Sequence, residues 1–282
     1  MQKNKLKFTK MHGCGNDYIY FNCFEQLVEA PEVLSVRLSD RHFGVGGDGV
    51  ILICPSDKAD ARMRMFNADG SEGKMCGNGT RCIGKYLYEH GIAKKPIVTL
   101  ETLSGIKTLT LTVEDGIVTA VQVDMGAPIL EPEKIPVKLK GDRALNVKHM
   151  LAGKPQTFTC ISMGNPHCII FTENVDQLDL EKIGPAHEND SIFPEKVNTE
   201  FVEVLNDHTL KMRVWERGSG ETLACGTGAS ATAVAAVLCG FCKINSDITL
   251  KLRGGDLVIR YTGETVLMTG PATVAFEGEV LV

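Results

Sequence analysis

The sequence predicts an α+β fold built from two similar lobes, and an internal repeat is the main reason. Residues 63–82 have the pattern of a strand, a glycine-rich loop and the start of a helix, and residues 212–228 repeat that pattern. Cys76 aligns with Cys225 at an offset of 225 − 76 = 149, and the same offset carries Asn16 onto Asn165. Because separated segments share one offset, we predict a duplication of about half the chain. Two copies are too few for a solenoid, so we expect two facing lobes with the active site in the cleft between them.

Composition limits the class of protein. The chain has 282 residues, of which 43% are apolar and 23% charged, so it can form one large or two medium-sized domains. A net charge of −5 argues against nucleic acid as a partner, and no apolar run is long enough to span a membrane. The N-terminus lacks the apolar core of a signal peptide, which predicts a cytoplasmic protein. The ten cysteines are then expected to be thiols rather than a disulfide framework.

The first half contains strands around one helix. Residues 6–24 predict two strands joined by a tight loop that exposes Asn16, and residues 31–42 predict a helix. The glycines at 44–49 precede a strand, whereas a dinucleotide fingerprint lies between a strand and a helix, so we reject a nucleotide site. A helix follows Cys76 and ends near His90, and residues 97–124 alternate as antiparallel strands.

The second half repeats this plan after a proline-rich linker at 126–136. Strands are predicted at 157–162, 168–171, 200–205, 248–252, 256–261 and 264–268. The helix at 228–239 is apolar on every face, which predicts a fully buried core helix. The tail at 272–282 is expected to return to the first lobe. We therefore assign residues 1–126, completed by 271–282, to the N-terminal lobe and 127–270 to the C-terminal lobe.

Cys76 and Cys225 are the candidate catalytic groups. A cysteine at a helix N-terminus lies at the positive end of the helix dipole, where its thiolate is favoured and can act as a base. The neighbouring glycines leave backbone N–H groups available to hold a carboxylate. A single buried cysteine is usually only a packing residue. Two cysteines in the same repeated context instead suggest a pair of thiols that remove a proton from one face of a carbon and return one to the other.

Other polar residues fall in the loops that are expected to face the cleft. His167 and Glu216 could each poise a thiol, and Arg217 suits bidentate recognition of a carboxylate. Uncharged hydrogen-bonding groups would bind the ends of an amino acid without competing as a base. These are Asn16, Asn67, Asn165 and Asn198. Cys239 and Cys242 have the spacing of half a zinc site but lack a matching second pair, so we predict no metal.

Taken together, these motifs resemble the diaminopimelate epimerase family over nearly the whole chain. The matching segments are Met11-His12-Gly13 with Gly15-Asn16-Asp17, Phe66-Asn67-Ala68-Asp69-Gly70-Ser71-Glu72, Cys76-Gly77-Asn78-Gly79-Thr80-Arg81-Cys82, Gly164-Asn165-Pro166-His167, Val197-Asn198, Glu216-Arg217-Gly218 and Ala224-Cys225-Gly226-Thr227-Gly228. The resemblance implies two pseudo-symmetric lobes, each a β-barrel-like sheet around a central helix. It also implies an isomerase that interconverts LL- and meso-diaminopimelate without a cofactor, for lysine and cell-wall precursor biosynthesis, and that forms a homodimer.

The resemblance also implies a role for each residue. Cys76 and Cys225 would alternate as base and acid, the first paired with His167 and the second with Glu216. The reacting carboxylate would be held by the backbone N–H groups of Gly77, Asn78, Gly226 and Thr227. Asn16 and Glu216 would approach the reacting ammonium group, and the distal L-centre would be read by Asn67, Asn165, Asn198 and Arg217. One departure is Gly49, which stands where some members of the family have a glutamine that contacts substrate.

Two other readings stay open. A proline or hydroxyproline racemase would use a similar pair of cysteines, although that family typically has a histidine where this chain has Asn78 and lacks the Glu216-Arg217 element. A protein of another class would bind amino acids without catalysis, or would sense redox state by joining Cys76 and Cys225 in a disulfide. Proton exchange with solvent, measured under reducing conditions, distinguishes catalysis from binding.

Overall fold

The chain divides into two compact units in the computed structural model, which describes residues 5–282. One unit ends at Val123 and takes up the chain again at Gly270–Val282, and the other is Asp124–Thr269. Residues 1–4, which begin the stretch from which a cytoplasmic location is predicted, lie outside the described residues. None of the helices within 5–282 is long and apolar enough to cross a membrane.

The first unit is mostly sheet with two helices. Its elements are β1 (Lys5–Gly13), β2 (Asn16–Asn22), α1 (Pro31–Ser39), β3 (Gly49–Cys54), β4 (Ala61–Asn67), β5 (Glu72–Gly73), α2 (Gly77–Glu89), β6 (Ile97–Thr102), β7 (Gly105–Glu114) and β8 (Ile117–Gly126), and the chain passes into the second unit within β8. Cys14 and Gly15 have φ angles of 54° and 82°, as the central residues of a type I′ hairpin turn require, so this turn joins β1 directly to β2.

The second unit has the same composition of elements. They are β9 (Val147–Leu151), β10 (Lys154–Ser162), β11 (Pro166–Phe171), α3 (Leu180–Glu188), β12 (Asn198–Asn206), β13 (Thr209–Glu216), β14 (Gly220–Thr222), α4 (Gly226–Leu238), β15 (Ile248–Leu252), β16 (Gly255–Tyr261) and β17 (Val266–Gly270). Two short 3-10 helices, Pro132–Lys134 and Val175–Gln177, also belong to this unit. The last strand of the chain is β18 (Thr273–Leu281).

The predicted duplication is visible in both position and pairing. Helix α1 begins at residue 31 and α3 at 180, and α2 begins at 77 and α4 at 226, so 180 − 31 and 226 − 77 both give the offset 149. In the first unit β2 pairs parallel with β3, and β4 with β6. In the second unit β11 pairs parallel with β12, and β13 with β15. The α+β class with its internal duplication is therefore confirmed.

The C-terminal strand completes the first unit. Strand β18 pairs antiparallel with β1 along its length, from Lys5 opposite Leu281 to His12 opposite Thr273. In the second unit the corresponding place beside β10 is taken by β9, which pairs antiparallel with it. The first strand of each repeat therefore has a partner on the side away from its hairpin, which covers backbone groups that an edge strand would expose.

Each repeat packs one long helix against its strands. Helix α2 contacts β1, β2 and β7, and α4 contacts β10, β11, β12, β15 and β16. The residues of α4 from Gly228 to Ala236 are all buried, which confirms the prediction of a core helix from its uniformly apolar sequence. The helix begins at Gly226, two residues before the predicted start, because Cys225 acts as its N-cap.

Helix α1 is shorter than predicted. The sequence pattern predicts a helix over 31–42, but the helix ends at Ser39. The side chain of Asp40 accepts hydrogen bonds from the backbone N–H groups of His42 and Phe43, at 2.7 and 2.8 Å. An aspartate that binds the backbone two and three residues later offers an alternative to helical hydrogen bonds, and this turn therefore ends the helix.

Helix α3 packs closely against the sheet of the second unit at Gly184, and this contact can be tested by substitution. A Cβ atom at residue 184 would lie 2.2 Å from Cδ2 of Trp215. The indole ring is rigid and is held by a hydrogen bond from its Nε1 to Oε2 of Glu188, at 2.8 Å. We expect Gly184→Ala to lower the free energy of unfolding by about 1–3 kcal/mol, because the ring cannot move aside. Urea unfolding measures this change.

Gly84→Ala is the matched control for this prediction. Gly84 lies in α2, and a Cβ there would meet the ends of the flexible side chains of Leu109, Leu111 and Val121 at 3.1–3.3 Å. Both substitutions gain about the same helix propensity, roughly 1 kcal/mol. Equal stabilities of the two variants would show that the contact with Trp215 does not limit residue 184.

Candidate active site

Each repeat caps its long helix with a cysteine. Cys76 is the N-cap of α2, and its sulfur accepts a hydrogen bond from the backbone N–H of Gly79 at 3.4 Å. Cys225 is the N-cap of α4, and its sulfur accepts from Gly228 at 3.3 Å. Both caps have extended backbone, with φ of −128° and −121°. The two sulfurs therefore lie at the positive ends of two helix dipoles, where a thiolate is stabilised.

Cys76 faces two amide side chains in the first unit. Its sulfur lies 3.2 Å from Oδ1 of Asn16, an oxygen that also accepts from Nδ2 of Asn78 at 3.3 Å. The Asn16 amide is held in this orientation because its Nδ2 donates to Oδ2 of Asp48 at 2.7 Å. Asn78 is held in turn by Arg81, whose Nη2 donates to Asn78 Oδ1 at 2.9 Å. An amide oxygen aimed at the sulfur accepts a hydrogen bond from the thiol form.

Tyr18 completes this group, which we call the first half-site: Asn16, Tyr18, Asp48, Cys76 and Asn78. The Tyr18 side chain is buried, and burial together with the negative charges of Cys76 and Asp48 raises its pKa well above the usual range. Tyr18 is therefore a phenol beside the sulfur, able to donate but not to act as a base. In the alignment of the two repeats, Tyr18 corresponds to His167 of the second unit, since 167 − 18 = 149.

Cys225 lies in a more buried and more acidic environment. The residue is 5% exposed, and burial, followed by the charges of Glu216 and Glu200, raises the pKa of its thiol well above the usual range. Hydrogen bonds from the Thr227 hydroxyl and the Gly228 N–H act in the opposite direction and lower that pKa. Oε1 of Glu216 accepts a hydrogen bond from the hydroxyl of Thr222. Burial and the two carboxylates thus favour the protonated form of Cys225, which suits this thiol to the role of acid.

His167 is fully buried and uses both of its ring nitrogens within the second unit. Its Nδ1 lies 2.7 Å from Oε1 of Glu200, and its Nε2 lies 3.0 Å from Oδ1 of Asn165. Nδ2 of Asn165 donates to Oγ1 of Thr227 at 3.3 Å. We call these residues the second half-site: Asn165, His167, Glu200, Glu216, Cys225 and Thr227.

Three other residues that the resemblance assigns to the substrate have different hydrogen-bond partners and exposure: Asn67, Asn198 and Arg217. Nδ2 of Asn67 donates to Oγ of Ser71 at 2.9 Å. The buried amide of Asn198 accepts from the backbone N–H of Arg217 at 2.9 Å and donates to Pro166 O at 2.9 Å. Asn198 thus joins the start of β12 to the start of β11 and to the turn after β13. Arg217 is exposed, and one guanidinium nitrogen donates to Glu195 O at 2.8 Å.

The backbone around Gly49 leaves no space for the glutamine side chain that some members of the family have at this position. A Cβ atom at residue 49 would lie 2.1 Å from the carbonyl oxygen of Phe66, which belongs to the neighbouring strand. The backbone of β3 and β4 therefore occupies the start of the space that a longer side chain would need. A glutamine at this position requires a shift of the strand.

Sequence reasoning assigned no role to three residues of the half-sites. Asp48 orients Asn16, Tyr18 lies beside Cys76, and Glu200 binds His167. The offset of 149 is the signal that could have found Tyr18, because it maps that residue onto His167. Glu200 aligns with Ile51, since 200 − 51 = 149, and a carboxylate at the position of a core isoleucine is a second such signal. Within residues 5–282, no group of three histidine, cysteine or acidic side chains is placed to hold a metal ion.

The family comparison agrees with the motifs. The family model for diaminopimelate epimerase matches residues 8–131 and 159–275, which include both cysteine caps. The chain belongs to the diaminopimelate epimerase family. The predicted resemblance is thereby confirmed.

Relatives of the diaminopimelate epimerase family are similar over their full length. A diaminopimelate epimerase of Acetivibrio thermocellus is 55% identical over 277 residues, which cover 98% of this chain and 98% of that protein. One from Methanococcus maripaludis is 53% identical over 277 residues, covering 98% and 99%. One from Bacillus cytotoxicus is 50% identical over 279 residues, covering 98% and 97%.

Solved structures with the same fold are more distant. A hydroxyproline epimerase from Agrobacterium vitis has a TM-score of 0.72 and 14% identity, covering 100% of this chain and 94% of that chain. A phenazine biosynthesis protein of the PhzF family from Bacillus anthracis has a TM-score of 0.71 and 18% identity, covering 99% and 100%. At these identities the comparison shows a shared fold and does not identify a substrate.

Proposed function

We propose that the protein is an isomerase that interconverts LL- and meso-2,6-diaminopimelate by proton transfer at one α-carbon, without a cofactor. One observation carries the proposal: in each repeat a cysteine caps the long helix and accepts a hydrogen bond from that helix's own backbone. A two-base epimerisation needs two such groups, one to remove the α-proton and one to return a proton to the opposite face. Full-length similarity to diaminopimelate epimerases supports this substrate.

The helix N-termini supply the electrostatic part of the mechanism. Removal of an α-proton puts negative charge on the neighbouring carboxylate, and fixed N–H dipoles stabilise charge that develops in the transition state. The N–H groups that we assign to this carboxylate are those of Gly77, Asn78, Gly226 and Thr227. As the C–H bond breaks, its electron pair delocalises into the carboxylate, and the proton moves to the thiolate sulfur. The second thiol then gives its proton to the carbon and keeps the S–H electron pair.

The starting charge state follows from the two half-sites. Burial and the charges of Glu216 and Glu200 raise the pKa of Cys225, so this residue begins as the proton donor. Cys76 is then assigned as the base for the isomer that presents its α-proton to that side, and the S–H proton that faces Asn16 Oδ1 must leave before this step. For the other isomer the roles are exchanged. The ammonium group of the reacting centre is assigned to Asn16 and Glu216, and the distal L-centre to Asn67, Asn165, Asn198 and Arg217.

Proton exchange in heavy water tests this function. Reduced, cofactor-stripped protein is incubated with LL-diaminopimelate in ²H₂O, and deuterium at the α-carbon and the meso isomer are followed together. We expect both to appear, because the second thiol delivers a proton that has equilibrated with solvent. Lack of exchange by fully reduced protein would overturn the assignment. Exchange of proline or hydroxyproline instead would favour the related racemase reading. The homodimer and the cytoplasmic location stay predictions, and light scattering in solution tests the first of them.

A further inference from the structure

A continuous line of hydrogen bonds in the second half-site ends at the sulfur of Cys225. From Glu200 Oε1 to His167 Nδ1 the distance is 2.7 Å, and from His167 Nε2 to Asn165 Oδ1 it is 3.0 Å. From Asn165 Nδ2 to Thr227 Oγ1 the distance is 3.3 Å, and from Thr227 Oγ1 to Cys225 Sγ it is 3.5 Å. Four contacts thus join a buried carboxylate to the candidate acid.

The far end of this line is buried in the core. Glu200 and His167 are both 0% exposed, and Glu200 stands where the first unit has the core residue Ile51. A carboxylate in such a place costs free energy unless it is paired. Gly228 makes room for it, because a Cβ at residue 228 would lie 2.5 Å from Glu200 Oε1. The pair is therefore a built feature of the second unit that has no counterpart in the first.

The donor and acceptor groups favour one direction along this line. Asn165 directs its NH₂ group at the Thr227 oxygen, so its carbonyl oxygen must face His167 and accept from Nε2–H. The second proton lies between His167 Nδ1 and Glu200, whose own pKa is raised by burial. The Thr227 oxygen accepts from Asn165, and its O–H can donate to Cys225 once that sulfur is a thiolate, which can only accept. From His167 Nε2–H through the Asn165 NH₂ group to the Thr227 O–H, the donors point toward the thiolate sulfur.

We propose that the Thr227 hydroxyl is a catalytic group that donates a hydrogen bond to the Cys225 thiolate, and that Asn165, His167 and Glu200 are positioning residues that keep it aimed there. This deepens the proposed function and rests on it. When Cys225 gives its proton to the carbanion, the S–H electron pair stays on sulfur in a site that already faces two carboxylates. The Thr227 O–H and the Gly228 N–H then stabilise the new charge. In the first unit residue 78 holds an asparagine at the place of Thr227, since 227 − 78 = 149, and it donates to Asn16 instead.

The decisive variants are Thr227→Val and Thr227→Ser. Valine keeps the size of the side chain and the backbone N–H but removes the hydroxyl, whereas serine keeps the hydroxyl. The readout is alkylation of Cys225 by iodoacetamide across pH, followed by mass spectrometry without substrate, with Cys76 as internal reference. We expect the Val variant to alkylate at least tenfold more slowly at a fixed pH, because a hydrogen bond to a charged group shifts a pKa by about one unit or more. The Ser variant should behave as wild type.

A double-variant cycle tests the positioning residues. In Asn165→Asp, a carboxylate oxygen replaces the NH₂ group, so the Thr227 hydroxyl turns to donate to it and leaves Cys225. We expect slower alkylation of Cys225 in this variant, and a clearly smaller slowing when the same change is made in Thr227→Val. Equal slowing in both backgrounds would mean that the new charge acts directly on Cys225, and the relay would be wrong.

Nitrogen NMR of the imidazole ring tests the far end. We expect a proton on Nε2 of His167 throughout the neutral pH range, and an unprotonated Nε2 would overturn the direction of the line. Because alkylation and NMR need no substrate, these outcomes are separate from the test of epimerisation. Wild-type-like alkylation of Thr227→Val in a protein that epimerises would refute this proposal alone. Absence of epimerisation by the wild-type protein would refute the proposed epimerase function, whatever the alkylation results.

Discussion

Serine in place of Cys76 or Cys225 should slow epimerisation severely while leaving proton exchange with only one of the two isomers. A serine hydroxyl is too weak an acid to be deprotonated at neutral pH, so the changed side can no longer act as a base. Loss of one proton-transfer group lowers kcat by about 10²–10⁴-fold. The remaining thiol can still remove the α-proton of the isomer that faces it and return a solvent proton to the same face. Deuterium incorporation into LL- and meso-diaminopimelate, measured separately, distinguishes the two variants.

The matched control is Cys239→Ser. Cys239 caps the other end of α4, where its sulfur contacts Thr159 Oγ1 at 3.4 Å, so the change alters a cysteine of the same helix without touching either half-site. We expect turnover close to wild type. If Cys76→Ser and Cys225→Ser lost exchange with the same isomer, or kept turnover in both directions, the two cysteines could not be alternating bases.

Most of the architecture could be predicted from the sequence because short local patterns identify the repeat. Glycines and a cysteine at the start of each long helix, strands that alternate, and one constant offset are all readable without long-range information. The offset holds in the structure for helices as well as strands, even where the residues differ, as between Ser35 and Gly184 at 184 − 35 = 149. Duplication therefore carries fold information that single positions lack.

The partners of the polar side chains could not be predicted in the same way. Asn198 was expected to read substrate, yet its amide bonds the backbone of Arg217 and of Pro166. His167 was predicted to poise a thiol, and within its own unit its ring nitrogens contact Glu200 and Asn165. These contacts depend on the parallel pairing of β11 with β12, which joins residues some thirty positions apart. Local sequence patterns do not encode such a register.

The two copies of the repeat differ chemically around Cys76 and Cys225. The sulfur of Cys76 is half-buried and faces the amide oxygen of Asn16, an acceptor. The sulfur of Cys225 is buried, faces two carboxylates and receives donors from Thr227 and Gly228. An epimerase with two identical thiols would have no preferred starting charge state. Because the side chains around the duplicated helix cap have diverged, Cys225 is the thiol whose protonated form is favoured at the start of the reaction.

Glu216→Gln should lower the pKa of Cys225 and make this thiol more reactive. The titratable groups that face Cys225 within its unit are the carboxylates of Glu216 and Glu200, and burial also raises its pKa. Glutamine keeps the shape of the side chain and can still accept from Thr222, but it removes one negative charge. A lower pKa increases the thiolate fraction at a given pH by roughly tenfold per unit. Alkylation of Cys225 at neutral pH should therefore be faster in the variant.

The same change should move the alkaline limb of the pH–rate profile. The direction of reaction that uses Cys225 as acid requires its S–H form, which exists below the pKa of the thiol. Since Glu216 raises that pKa, wild-type activity in this direction should extend to high pH and fall only above it, and the variant should fall at lower pH. Glu264→Gln, an exposed carboxylate in the turn between β16 and β17, controls for the loss of one charge from the unit. An unchanged or slower alkylation of Cys225 in Glu216→Gln would mean that this carboxylate does not hold the proton on the sulfur. The assignment of Cys225 as the resting acid would then depend on burial and on Glu200.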